Sequence, residues 1–265
     1  MLFWPKRSLL SVCLCLFYFS FSCRSAPQPV TIVTDDSYPP YSFYHDGELH
    51  GMYIELVRAA AEYLKDDYKI EIVAEPWKRA LASIENGQAF AILPPYKHTE
   101  KRPYIWPYSI PIFNEVVVAF CRNNVDLFTA VTSSLDREHP PINVGINAGF
   151  LILNDELERA AAQKRIIVWE NKSTHANLVK LLRGRIDCYV NDRRSTLWEM
   201  DQLRYTDPSI NMSHISENMV VISRAAYIGY AKDESGRFSY KDDFVKKMNA
   251  ALNLVLQHKD WSQYK

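Results

Sequence analysis

Short runs rich in β-branched residues alternate with stretches of helical spacing along this chain, and they do so in two separate series. That rhythm constrains the fold more than any other feature, because strand–helix–strand repeats pack as parallel strands with helices on their faces. In the first series 30–34, 69–74 and 89–93 read as strands, with helices over 52–64 and 77–85. Within 52–64, Ile54, Leu56, Val57, Ala60 and Ala61 make one apolar face. A long strand signal at 114–121 and a polar, weakly patterned segment at 122–141 follow. The second series has strands at 143–147, 166–169 and 186–190 and helices at 151–163 and 174–183. Strand signals at 219–223 and 227–231 precede a terminal helix over 240–257. The expectation is an α/β protein of two lobes, each a mostly parallel sheet flanked by helices.

The N-terminus reads as a processing segment. Lys6 and Arg7 form a basic start, 8–21 is apolar, and the small residues Ser22, Ser25 and Ala26 follow. The apolar run is shorter than the ~20 residues of a membrane span, so a signal peptide over 1–25 is expected. A cut after Ser22 would leave Cys23 first and raise a lipoprotein anchor, which Ser20 and Phe21 suit poorly. The chain is therefore expected to be exported.

With 31 basic and 31 acidic residues the formal net charge is zero, which argues against a nucleic-acid partner. Hydrophobic residues at 48% support a packed core. There is no His-Glu-x-x-His, P-loop or Gly-x-Ser-x-Gly, and the seven histidines are scattered, so neither a metal, a cofactor nor a catalytic residue is expected. Cys121 and Cys188 sit in apolar strand-like runs; a disulfide and two buried thiols fit them equally.

Two charges stand out against this frame. Arg102 follows the strand at 89–93 and Asp192 follows the strand at 186–190, one in each series, at the sheet edge where open α/β folds bind ligands. A free amino acid taken out of water needs one fixed cation and one fixed anion. The planar guanidinium fork suits a carboxylate, and an aspartate past a strand end suits an ammonium.

These residues also carry a resemblance. Thr34-Asp35-Asp36-Ser37-Tyr38-Pro39-Pro40-Tyr41-Ser42-Phe43, with Gly51-Met52-Tyr53-Ile54-Glu55-Leu56, resembles the opening of the periplasmic amino-acid-binding proteins of ABC transporters, solute-binding protein family 3. Thr99-Glu100-Lys101-Arg102 resembles that family's carboxylate-binding turn, and the stretch from Gly184 to Asp192 resembles its second-lobe strand ending in the ammonium-binding aspartate. The similarity runs from about Val30 to the C-terminus.

The resemblance implies a two-lobed, type II periplasmic-binding fold with a hinge and a ligand cleft. It also implies a discontinuous first lobe (26–118 plus 228–265), a second lobe at 119–227, and crossings near Val118 and Tyr227. It implies a monomer in the periplasm that delivers a small amino-acid-like ligand to a membrane ABC permease. Arg102 would take the carboxylate, Asp192 the ammonium, and Tyr38, Trp77 and Tyr96 the walls. Tyr41 fits a pocket wall and its own lobe's core equally, and Asp35 suits a loop anchor better than a ligand contact.

Two departures matter. Pro94-Pro95-Tyr96-Lys97 stands where the family often has serines, so hydroxyl and N–H donors are missing. Gly149-Phe150-Leu151-Ile152 keeps a glycine and the N–H groups of an expected helix start but lacks a hydroxyl. The pocket, with Phe150 in it, should be more apolar and aromatic than a standard one. Two other readings use the same pocket: a periplasmic cyclohexadienyl (prephenate) dehydratase, and a ligand-sensing partner of a membrane receptor.

Overall fold

The computed structural model describes residues 26–132, 140–258 and 260–261. The expected signal peptide lies outside them. The chain begins with β1 (Gln28–Asp35), then a small antiparallel meander, β2 (Ser37–Tyr38), β3 (Ser42–His45) and β4 (Glu48–His50). Next come α1 (Met52–Ala61), β5 (Tyr68–Glu75), α2 (Trp77–Glu85), β6 (Ala91–Leu93) and β7 (Ile105–Tyr108). After these stand β8 (Asn114–Arg122), α3 (Leu127–Thr132), β9 (Ile142–Asn147), α4 (Asp155–Ala162), β10 (Ile166–Asn171) and α5 (Thr174–Leu182). The chain finishes with β11 (Cys188–Asp192), α6 (Arg193–Thr206), β12 (Ile215–Ala225), β13 (Gly229–Ala231) and α7 (Lys241–His258).

Two five-stranded sheets organise these elements. The first has the order β5-β1-β6-β13-β7, with β1 parallel to β5 and β6, and β13 antiparallel to its neighbours. The second has the order β10-β9-β11-β8-β12, parallel over β10-β9-β11 and antiparallel from β8 on. Helices cover both, as the alternating sequence requires. β8 lies wholly in the second sheet, so the chain crosses within 109–113, upstream of the expected Val118. It returns over 226–228. The two crossings run side by side: Ser109 N donates to Ile228 O (2.8 Å), Ile112 N to Ala226 O (2.9 Å) and Ala226 N to Phe113 O (2.9 Å).

Each sheet has apolar clusters on both faces. Phe150 packs against clusters of both sheets, so it is a fixed point between them. Cys121 and Cys188 face each other in the β8–β11 pairing and form a disulfide, with Cα atoms 4.0 Å apart.

The expected helix at 151–163 starts late. Asn154 is its N-cap, with Oδ1 accepting from Leu157 N at 3.1 Å, and Asp155, Glu156 and Glu158 fill its first turn. A cap of that strength fixes the start, so the stretch from Gly149 to Leu153 is irregular and presents no helix N-terminus at Gly149, contrary to the expectation. Among the elements not foreseen, α6 buries Ser195, Thr196, Met200 and Leu203, a stripe too polar to read as apolar. The strands of the meander have two to four residues, too few to show alternation.

Candidate functional site

The site lies where loops of the first sheet meet the second. Trp77 opens α2 directly after Pro76, and its ring is buried. The loop after β6 turns back on itself through Arg102 N to His98 O (2.8 Å) and Ile105 N to Arg102 O (3.1 Å). That turn aims the Arg102 side chain, 4% exposed, at the second sheet. Its Nη2 donates to Gly149 O at 2.7 Å, and its guanidinium lies 5.6 Å from the Trp77 ring centre. Gly149 adopts φ +81°, and a Cβ there would come 3.1 Å from Lys78 Cγ and 3.4 Å from Trp77 Cδ1. Glycine thus permits the close approach that brings this carbonyl to the guanidinium. Among the described residues no carboxylate forms an ion pair with Arg102, and burial pulls its pKa down.

A carboxylate that sequence reasoning did not single out stands opposite. Glu115, near the start of β8, is 1% exposed. Its Oε2 accepts from Tyr38 Oη and Tyr96 Oη, each at 2.6 Å, and its Oε1 accepts from Tyr53 Oη. Burial pushes its pKa up to about 7, the charge of Asp192 adds to the rise, and the tyrosine hydrogen bonds oppose it. The available signal was the two-residue period: Glu115 shares its strand face with Val117, Ala119 and Cys121, all buried.

A cavity of about 30 Å³ joins these groups, lined among others by Arg102, Glu115, Tyr38, Tyr96, Trp77 and Phe150. Asp35 also lines it, its carboxyl raised to about 7 chiefly by burial, with Oδ1 accepting from Ser37 N at 2.9 Å. The last contact ties the carboxyl to its own loop. His98 is there too, with Nε2 2.9 Å from Leu151 O, its pKa lowered to about 4 by burial and then by Arg102. The walls are aromatic: Phe150 meets Tyr38 edge-on at 5.5 Å and Trp77 at 6.1 Å. Such a volume holds water and is smaller than an amino acid.

Six of the eight residues expected at the site therefore meet in one cavity, and two do not: Tyr41 and Asp192 line a second, more open cleft of about 810 Å³. Asp192, 2% exposed, is the N-cap of α6. Its Oδ1 accepts from Ser195 N (2.8 Å) and Tyr41 Oη (2.9 Å), and its Oδ2 from Val116 N (3.2 Å). Tyr41 is buried, stacks on Tyr53 and belongs to the first sheet's core.

The family model for bacterial extracellular solute-binding proteins, family 3, matches residues 30–265. The chain belongs to this family. The fold of this family 3 protein is shared with solved structures at low identity. A histidine kinase sensor domain with similarity to periplasmic binding proteins matches at TM-score 0.67 and 16% identity, covering 90% of this chain and 93% of that one. An ancestral arginine-binding protein bound to arginine matches at TM-score 0.67 and 16% identity, with 91% and 97% covered. An ancestral amino-acid-binding protein, a precursor of cyclohexadienyl dehydratase, matches at TM-score 0.66 and 14% identity, with 89% and 93% covered. Among the described residues of this family 3 protein, no helix is long and apolar enough to cross a membrane. Nor do three His, Cys, Asp or Glu side chains gather as a metal site.

Proposed function

We propose that this protein captures a small amino-acid-like ligand between two lobes and delivers it to a membrane ABC permease, working as a monomer in the periplasm. The lobes are the two sheets with their helices, divided at 109–113 and 226–228. The observation that carries the reading is Arg102: a buried guanidinium without a carboxylate partner among the described residues, opening onto an aromatic cavity between the sheets. A ligand carboxylate would replace the neutral Gly149 carbonyl with a charged, two-pronged acceptor, a stronger partner in the same place. Trp77, Tyr38, Tyr96 and Phe150 would enclose the rest of the ligand. Family membership and the amino-acid-binding proteins of the same fold support the assignment.

The test is calorimetric titration of the signal-less protein with the common L-amino acids, repeated with Arg102→Ala. Removing one member of a buried charge pair costs about 2–5 kcal/mol. The variant should therefore bind at least about 30-fold more weakly while keeping a cooperative unfolding transition. Unchanged affinity would remove the carboxylate role from Arg102.

A dehydratase reading has one observation in its favour. Glu115 is a buried carboxyl raised to about 7, sharing a cavity with a guanidinium, as a general acid near a leaving hydroxyl would be. Turnover of prephenate by the purified protein is its test, and a rate no faster than the uncatalysed reaction would end it.

A further inference from the structure

The cavity holds more acid than base. Asp35 and Glu115 line it with Arg102 as the one Lys or Arg among its lining residues, and Asp192 lies close enough to act on Glu115. Glu115 is held by three hydroxyl hydrogens and by no cation among the described residues. A buried carboxylate with neutral partners is short of the charge that would offset its desolvation. Its donors are also replaceable, since a phenol hydroxyl that now donates can rotate away and can also accept a hydrogen bond. Asp192 differs on both counts. Two of its three donors are backbone amides fixed by β8 and the start of α6, and it lies on the other cleft.

We propose that Glu115, rather than Asp192, receives the ligand's ammonium, so that the protein selects amino acids over carboxylic acids that lack the amine. This inference rests on the binding reading above and assigns the second half of that site. On closure the ammonium enters among Glu115, Tyr38 and Tyr96 while the carboxylate takes the Arg102 fork. Tyr53, on α1, keeps its hydrogen bond from behind. Asp192 remains a helix cap and, through Tyr41, a latch between the sheets. Arg102 and His98 carry the remaining titratable groups of the cavity, and His98 is held neutral by its burial.

The experiment pairs each common L-amino acid with its des-amino carboxylic acid, for example L-phenylalanine with 3-phenylpropionate, on wild-type protein, Glu115→Gln and Asp192→Asn. Glu115→Gln should lose about 100-fold in affinity for the amino acid and little for the des-amino acid, erasing the preference. Asp192→Asn should weaken both members of a pair alike. Wild-type protein supplies a reading that needs no variant to fold. Titration near pH 6.5 in buffers of different ionisation enthalpy should show a proton released as the ammonium arrives, because Glu115, raised to about 7 in the free protein, must ionise. A preference for amino acids that survives Glu115→Gln and falls in Asp192→Asn overturns the assignment to Glu115 and leaves the binding reading standing. Binding of neither amino acids nor des-amino acids to the wild type overturns the binding reading and this inference with it.

Discussion

At the scale of the residue, the buried acids make a prediction about pH. Glu115 and Asp35 are both raised to about 7, in each case chiefly by burial. In the folded protein they keep protons that the unfolded chain has released, so their contribution to stability falls as pH rises from about 4.5 to about 7. For Glu115 the change is worth about 3 kcal/mol over that window. His98, lowered to about 4 by burial, works in the opposite sense: the unfolded chain takes up its proton first as pH falls below about 6.5. Melting temperatures between about pH 5 and 7.5 should therefore decline in the wild type, decline less in Glu115→Gln, and decline more in His98→Gln. A Glu115→Gln profile parallel to the wild type would show that the carboxyl is ionised throughout. Arg102 was legible in the sequence because it follows a strand end and sits in a turn resembling a known one. Glu115 was not, because what places it in the cavity is contributed from far away: its tyrosine partners lie 77, 62 and 19 residues distant. A lone acid at the start of an apolar strand looks like the strand's exposed end.

Among the elements, periodic ones were readable and irregular ones were not. The helix over 77–85 was legible to the residue because Trp77, Ala80 and Ile84 recur on one face. α6 was invisible because its inward face is half hydroxyls, and the start of α4 depended on the Asn154 cap, which outweighs the apolar residues before it. Gly51 shows how local chemistry joins elements. At φ +124° a Cβ would lie 2.2 Å from Tyr41 O, the carbonyl that accepts from Tyr53 N at 3.0 Å. The glycine thereby lets α1 begin against the loop that carries Tyr41. The β8–β11 pair is tied covalently, and the Cys121–Cys188 link spans 67 residues. Closing a loop of that length removes unfolded-state entropy worth roughly 4 kcal/mol. Urea unfolding of Cys121→Ala/Cys188→Ala should show a loss of that order. A loss below about 1 kcal/mol would mean that residual structure already restricts the unfolded ensemble without the link.

Across the whole molecule, the two sheets hold each other by few strong contacts. The ion pairs Lys78–Glu170 and Lys101–Glu158 bridge elements of the two sheets but are exposed, and such pairs contribute about 0–1 kcal/mol. The more buried contacts among the described residues include Phe150, Tyr96 in the second sheet's apolar cluster, the His98–Leu151 and Tyr41–Asp192 hydrogen bonds, the tyrosines on Glu115 and the Arg102–Gly149 hydrogen bond. On the proposed function the last of these would contribute to a speed limit. The Gly149 carbonyl holds the guanidinium that would take the ligand's carboxylate, and the cavity of about 30 Å³ is smaller than an amino acid, so each arrival would wait for the sheets to part. Uptake would then be gated by the protein's own breathing. Followed by stopped-flow tryptophan fluorescence, the observed rate should rise with ligand concentration and level off at the opening rate. A rate that kept climbing linearly would show that the open form predominates in solution. With a ceiling, a sudden abundance of ligand outside the cell would not speed its capture: the protein would act as a metering valve, passing solute at a rate set by how often the contacts between its own sheets let go.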